Sequence, residues 1–129
     1  MDSSAIIKTN LIKDLDISKY LTSYELILKE LEVISNKIKL ELKKECMTED
    51  RVSSSLMEKN QFKCHGYAWY ETYRISLVHT LNWYKTLSAT GKVSRLEELI
   101  LASGFSEYVL QMRDGIMMSQ SEVIRPIYN

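Results

Sequence analysis

Residues 22–45, TSYELILKELEVISNKIKLELKKE, decide the fold class because their apolar side chains recur at the spacing of an α-helix. The main apolar positions form one face: Tyr24, Ile27, Leu28, Leu31, Ile34, Ile38 and Leu42. The pattern predicts a helix from about Ser18 or Thr22 to Glu45. Thr22 and Glu25 have the spacing of a capping box, in which a hydroxyl and a carboxylate satisfy the first amides of a helix.

A second apolar row lies on the opposite side of this predicted helix. Leu26, Val33 and Leu40 are one heptad apart and roughly 180° from the main face, at about 100° per residue. Single surface leucines are common and need no function. The regular spacing nevertheless makes these three residues candidates for contact with a partner.

The next predicted helical segment begins at Thr48 and extends to about Ser88, with an interruption between Asn60 and Gly66. Its core face is rich in aromatic residues: Tyr67, Tyr70, Tyr73, Leu77, Val78, Leu81 and Tyr84. Trp69, Trp83 and Leu87 fall on other sides. Because this helix is apolar around much of its circumference, we expect it to be central.

A third helix is predicted from the capping box at Ser94 and Glu97 to about Asp114, after a turn at Gly91. It has two apolar faces, one formed by Leu96, Leu99, Ile100, Ser103 and Leu110, the other by Leu101, Phe105, Tyr108 and Met112. We therefore expect burial on two sides, and Phe105, Tyr108 and Met112 are candidate interface residues. A further capping box at Ser119–Glu122 predicts a short last helix that ends at Pro126.

Together these elements predict an all-α domain, an antiparallel bundle of three long helices plus a short C-terminal helix. The chain has 129 residues, the usual size of one domain, and residues 1–17 read as a loosely ordered lead-in to residues 18–129. The chain has only four glycines and one proline, and this scarcity favours long helices over a fold with many glycine-rich turns.

Composition excludes several classes of partner. The 17 basic and 17 acidic residues balance, so the chain lacks the positive charge expected of a nucleic-acid-binding protein. No apolar run approaches the roughly 18 residues needed to cross a membrane. The first residues do not resemble a signal peptide, so we expect a cytoplasmic protein in which Cys46 and Cys64 are reduced.

The sequence predicts no catalytic, cofactor or metal site. Cys64 and His65 are adjacent and point about 100° apart on a helix, which makes them poor joint ligands. No phosphate-binding glycine loop, paired carboxylates or Ser–His–Asp arrangement is present. Cys64 is interpreted as a small buried side chain.

Arg74 is the most unusual charge, because it falls on the apolar face between Tyr70 and Leu77. One interpretation is a buried ion pair with a carboxylate such as Glu30, Glu97 or Glu98, or a stem that passes the tyrosines toward solvent. The alternative is an anion-binding site in which Arg74, Tyr70 and Tyr67 contact a phosphate or carboxylate ligand. The tyrosine and tryptophan cluster also allows two interpretations, core packing or stacking on a flat ligand.

Two parts of the chain together resemble a known family. They are HGYAWYETY at residues 65–73 and the region 102–126, with FSEY at 105–108, GI at 115–116, MSQSE at 118–122 and IRP at 124–126. Both are similar to the N-terminal helical extension of acyl-CoA dehydrogenases of the methylsuccinyl-CoA dehydrogenase type. The resemblance covers roughly residues 48–129. One departure is Met117, where the resembling proteins usually have proline.

The resemblance implies an accessory role. In such enzymes the flavin pocket, the acyl-CoA cleft and the catalytic glutamate belong to the dehydrogenase body that follows the extension, so none of them transfers to this chain. The leading hypothesis is a non-catalytic helical domain that contacts itself, as a homo-oligomer, or a separately encoded dehydrogenase-like protein. The alternative hypothesis is a protein that binds an acyl-CoA or another anionic acyl compound through Arg74 and the aromatic cluster.

Overall fold

The computed structural model describes residues 16–119 and 122–125. Its elements in chain order are a 3-10 turn (Ile17–Tyr20), α1 (Leu21–Cys46), β1 (Met47–Thr48), β2 (Arg51–Val52), α2 (Ser54–Lys59), α3 (Gln61–Ala89), α4 (Arg95–Asp114), β3 (Ile116–Met117) and β4 (Val123–Ile124). Helices account for most of the described chain, and each strand has only two residues. The predicted all-α class is confirmed.

Helix α3 is central, because it packs against both α1 and α4. Its residues Tyr70, Leu77, Leu81 and Tyr84 are buried, as the aromatic-rich face predicted. They meet the other buried apolar residues of the core: Ile17, Leu31, Leu101, Phe105, Met112, Ile116 and Ile124. Burial of this continuous apolar surface stabilises the arrangement of the helices.

The direction of α1 relative to α3 follows from two ion pairs at opposite ends. Glu25 near the start of α1 pairs with Lys85 near the end of α3. Glu45 near the end of α1 pairs with Lys63 at the start of α3, with 2.7 Å between Oε1 and Nζ. The two helices therefore run antiparallel. Helix α1 also reaches α4, where Tyr24 stacks on Phe105 with 4.2 Å between ring centroids.

The prediction of a helix that begins at Thr48 is wrong for its first residues. β1 and β2 instead form a hairpin in which Met47 pairs with Val52 and Thr48 with Arg51. Its two-residue turn, Glu49 and Asp50, has φ of 51° and 62°, the left-handed region that such hairpin turns require. Ser53 then caps α2, and Asn60 separates α2 from α3 within the predicted interruption.

The predicted short C-terminal helix is also wrong. Gly115, with φ of 128°, ends α4 and turns the chain into a β3–β4 hairpin in which Ile116 pairs with Ile124. A helix of six residues would gain few backbone hydrogen bonds for the cost of nucleation. The hairpin instead buries Ile116 and Ile124 in the core.

Of the predicted caps, the Ser94–Glu97 box is present and begins α4. The Thr22–Glu25 box is not, because Thr22 already lies inside α1, which begins one residue earlier after a turn capped by Asp16. The predicted lead-in lies mostly outside the described residues. Its last residue, Ile17, is fully buried in the core.

None of the helices in the described ranges combines the length and the apolar character needed to cross a membrane.

Candidate docking cleft

The β3–β4 hairpin lies on the first turns of α3 and brings together the two regions that carried the family resemblance. Gly66 faces Ile124, and a Cβ on Gly66 would lie 3.3 Å from Ile124 Cγ2. Gly115 allows the hairpin to close, since a Cβ there would lie 2.6 Å from Val123 Cγ1. Gly66 therefore permits close approach of segments that are distant in sequence, and Gly115 permits close approach of the two arms of the hairpin.

A polar contact joins the same two regions. His65 Nδ1 lies 3.0 Å from Glu122 Oε1, and Trp69 Nε1 donates to His65 Nε2 at 2.9 Å. Because Nε2 accepts from the indole, the proton of the neutral ring is placed on Nδ1, where it donates to the carboxylate. This chain of contacts orients the hairpin on α3.

An open cleft of about 820 Å³ lies between the second half of α1, the start of α3 and β4. It is lined by Ile34, Lys37, Ile38, Leu40, Glu41, Leu42, Lys44, Glu45, Phe62, Lys63, Gly66, Tyr67, Val123 and Ile124. The lining is mainly apolar. A cleft of this size is large enough for a small ligand or for side chains of a partner protein.

The charged residues of the cleft are largely paired with each other. Lys44 Nζ lies 2.6 Å from Glu41 Oε1, and Lys63 donates to both carboxylate oxygens of Glu45 at 2.7 and 2.9 Å. The hydrogen bonds that Lys63 donates to Glu45 raise the pKa of Lys63. The described residues offer no ion pair to Lys37. The cleft therefore has an apolar floor with a mixed, mostly neutralised polar edge.

The heptad row predicted on the far face of α1 is exposed and leads into this cleft. Leu26, Val33 and Leu40 have relative exposures of 56%, 49% and 59%, and Leu40 also lines the cleft. Across the cleft, Phe62 is 70% exposed and Val123 is 40% exposed. We call these five residues the apolar stripe.

Arg74 has a partner that the sequence interpretation missed. Its Nε and Nη2 atoms donate to the two oxygens of Glu71 at 2.9 and 2.5 Å, and Ser35 Oγ donates to Glu71 Oε2 at 2.5 Å. The guanidinium of Arg74, more than any other group, lowers the pKa of Glu71, while the carboxylate raises the pKa of Arg74. Arg74 is therefore paired with a carboxylate, but this is Glu71 and not Glu30, Glu97 or Glu98, the examples that the sequence suggested. The Glu71–Arg74 spacing of three residues is typical of a helical ion pair.

This geometry separates Arg74 from the candidate ligand residues. Its side chain is only 13% exposed and does not line the cleft. Tyr70 is fully buried, its hydroxyl donates to the Leu31 carbonyl at 3.3 Å, and burial raises its pKa to about 12. Tyr67 lines the cleft. The structure therefore does not bring the three residues together around one opening.

Several rings of the aromatic cluster pack against one another in the described structure. Tyr73 stacks on Tyr108 with ring centroids 4.4 Å apart and meets Trp69 edge-on at 6.3 Å. Its hydroxyl donates to Gln111 Oε1 at 3.0 Å. These rings pack against one another at the junction between α3 and α4.

The interface candidates on α4 require a correction. Phe105 and Met112 are each 1% exposed and Tyr108 is half-buried against Tyr73, so this face packs inside the chain. The exposed face of α4 is the other one, with Leu96, Ile100 and Leu110 at 63%, 46% and 46% exposure. Periodicity identified both faces of α4 but could not rank them.

The cleft itself was not predicted. Phe62 and Val123 were not singled out, since each is a single apolar residue in a polar context and only the fold places them opposite Leu40. No group of three His, Cys, Asp or Glu side chains within residues 16–119 and 122–125 is arranged to hold a metal ion.

The chain is 38% identical over 98 residues to the (2S)-methylsuccinyl-CoA dehydrogenase of Cereibacter sphaeroides. The match covers 76% of this chain but only 18% of the enzyme. No family profile matches the chain. The comparison confirms that the chain resembles part of an acyl-CoA dehydrogenase.

Proposed function

We propose that this chain is a non-catalytic helical accessory domain, an antiparallel three-helix bundle equivalent to the N-terminal extension of a methylsuccinyl-CoA dehydrogenase. It docks onto a dehydrogenase-like protein body through the apolar stripe and the adjoining cleft. The observation that carries the proposal is the exposed row of Leu26, Val33 and Leu40, which continues into the cleft.

The shape and chemistry of this surface support protein contact. Isolated apolar side chains are normal on a protein surface, but exposed apolar side chains that border an apolar cleft with a polar rim are typical of an interaction site. Phe62 and Val123 extend the patch across the cleft from Leu40. The Lys44–Glu41 and Lys63–Glu45 pairs supply the polar rim.

The partner is inferred from how little of the related dehydrogenase this chain matches. Only 18% of that enzyme corresponds to this chain, so most of the relative lies outside the match. A surface that contacts the rest of such an enzyme would be apolar, exposed in the separated domain and located away from the domain's own core. The apolar stripe meets these conditions.

The experiment uses the Cereibacter sphaeroides dehydrogenase with its matched region deleted, mixed with the full chain and followed by analytical ultracentrifugation and calorimetry. We expect a complex with the wild-type chain. Val33→Glu combined with Leu40→Glu should weaken it by at least about tenfold, since charges would be buried unpaired in the interface. Leu96→Glu, an equally exposed leucine on α4, is the matched control and should bind normally.

Other outcomes identify the competing explanations. A homodimer of the isolated chain that the Val33→Glu/Leu40→Glu variant abolishes would replace docking by self-association. A chain that stays monomeric and does not bind the truncated dehydrogenase would contradict the proposal.

A second function, binding of an anionic acyl compound, is favoured by the cleft itself. It combines about 820 Å³ of volume with an apolar floor of Ile38, Tyr67 and Ile124 and with Lys37 at its edge. Because Arg74 is already paired with Glu71, the cleft and not Arg74 would bind the ligand. A rise in melting temperature with an acyl-CoA that Lys37→Glu removes and Arg74→Lys preserves would support this alternative.

A further inference from the structure

Cys46 and Cys64 face each other at one end of the cleft. Cys46 is the last residue of α1 and Cys64 lies in the first turn of α3, and their Sγ atoms are 3.6 Å apart. Both are free thiols; Cys46 is buried and Cys64 is half-buried. The preceding residues in each helix, Glu45 and Lys63, line the cleft and form an ion pair.

Several contacts hold the two backbone segments in this position. Ser53 N donates to the Cys46 carbonyl at 2.9 Å, and Asn60 Nδ2 donates to the Glu45 carbonyl at 3.4 Å. The Lys63–Glu45 ion pair adds a third link. A disulfide needs about 2.05 Å between its sulfurs, so the two thiols, now 3.6 Å apart, must approach by about 1.5 Å.

We propose that Cys46 and Cys64 form a redox modification site, in which a reversible disulfide joins the end of α1 to the start of α3 beside the cleft. The inference does not depend on the proposed docking function. A free cysteine with no partner within reach would be an ordinary core residue. Two thiols in contact, on segments already held together by polar contacts, are arranged to react with each other.

The oxidant is a low-molecular-weight disulfide such as oxidised glutathione. The more accessible thiolate, that of Cys64, attacks one glutathione sulfur, forms a mixed disulfide and releases the other glutathione as a thiolate. The Cys46 thiolate then attacks Cys64 Sγ and releases the second glutathione. Two protein thiols are oxidised, one glutathione disulfide is reduced, and the two protons end on the two released glutathione thiols.

The surroundings of Cys64 control the rate of this oxidation. Burial, contact with Cys46 and the charge of Glu45 raise the pKa of the Cys64 thiol. The attacking thiolate is therefore scarce at neutral pH, and oxidation should be faster in mildly alkaline buffer. Cys46 is too buried for direct attack by an external reagent, which makes Cys64 the entry point.

The test is to incubate the full wild-type chain with oxidised glutathione in mildly alkaline buffer and to analyse it by intact mass and non-reducing peptide mapping. We expect loss of two hydrogen atoms, a Cys46–Cys64 cross-linked peptide and no lasting glutathione adduct. Wild-type protein that keeps two thiols, retains glutathione on Cys64 or forms only disulfides between chains would overturn the proposal. This result does not depend on any variant's ability to fold.

Cysteine variants test the order of the two thiol–disulfide exchange steps, and melting curves test whether the disulfide stabilises the fold. Cys46→Ser should keep glutathione on Cys64 because the resolving thiol is missing, whereas Cys64→Ser should react little. The intramolecular disulfide closes a loop of moderate length and should raise the melting temperature by several degrees over the reduced protein. If the oxidised protein had a melting temperature equal to or below that of the reduced protein, the disulfide would not stabilise the junction of α1 and α3, contrary to this expectation.

Discussion

Gly66 lies directly beneath Ile124, so that a Cβ on the glycine would come within 3.3 Å of Cγ2 of the isoleucine. This approach holds β4 on the first turns of α3. Because Gly66 and Ile124 both line the cleft, the same contact that attaches the C-terminal hairpin also forms one wall of the candidate docking surface.

Replacing Gly66 with a large side chain should therefore detach the hairpin. Gly66→Leu should lower the free energy of unfolding by about 1–3 kcal/mol through overpacking against Ile124. Gly104→Ala is the control, because nothing lies within 4 Å of its added Cβ and the helix of α4 should gain about 0.5–1 kcal/mol. Urea unfolding measures both. Wild-type stability in Gly66→Leu would argue against the docked hairpin.

Gly115 is expected to be the least replaceable glycine of the described chain. Gly115→Ala combines an unfavourable φ of 128° with a Cβ only 2.6 Å from Val123 Cγ1, and should cost about 2–4 kcal/mol. Gly91→Ala is the matched comparison, since its φ is also positive but its Cβ has open space, and should cost about 1 kcal/mol. The difference between the two variants in urea unfolding reports the hairpin contact. Equal losses would contradict it.

The Ser35–Glu71–Arg74 network predicts an acid-sensitive part of stability. The pKa of Glu71 lies below its usual 4.5 in the folded chain, mainly because of Arg74. The folded state therefore gains stability above that usual value, and the gain is lost as pH falls through the lowered pKa.

Glu71→Gln removes this gain and the carboxylate to which Arg74 donates its hydrogen bonds, at a cost of about 1–2 kcal/mol near neutral pH. Unfolding measured at a series of pH values should show the two proteins converging in acid. A difference that is independent of pH would assign the cost to packing and not to the ion pair. Asp114→Asn is the control, because its ion pair with Arg113 is exposed to solvent, and it should leave the free energy of unfolding almost unchanged.

Substitutions on the two faces of α1 should differ in their effect on the free energy of unfolding. Val33→Asp, on the exposed face, should change the stability of the monomer by less than about 0.5 kcal/mol, whereas Leu31→Ala, 8% exposed, should cost about 2–4 kcal/mol. Thermal unfolding of the isolated chain at low concentration measures both. A large loss in Val33→Asp would mean that the apolar stripe belongs to the chain's own packing and is not available to a partner.

Part of the candidate site could be predicted from the sequence. Leu26, Val33 and Leu40 were identified because a heptad row is a local property of one helix. Tyr67 was identified as well, although as a companion of Arg74, which faces Glu71 instead of the cleft. Phe62 and Val123 could not be identified, since their position opposite Leu40 depends on how α3 and the hairpin pack against α1.

Helix positions were accessible from sequence because periodicity and caps act within a few residues. The Ser94–Glu97 box located the start of α4, and the predicted end at about Asp114 agrees with the structure. The same local signals failed at Thr48 and Ser119, where each segment has a helical start but gains more from pairing with a neighbouring strand. Short elements are most easily overruled in this way, because their intrinsic stability is small compared with that of tertiary contacts.

The choice between the two apolar faces of α4 required the folded chain. Periodicity makes the face with Phe105 and the face with Ile100 equally suited to burial. Stacking of Phe105 on Tyr24 and of Tyr108 on Tyr73 selects the first and leaves the second exposed. The helices themselves follow from local pattern, whereas the buried face, the partner of Arg74 and the contact between Cys46 and Cys64 follow from long-range packing. Such contacts join residues far apart in sequence, and no local pattern encodes them.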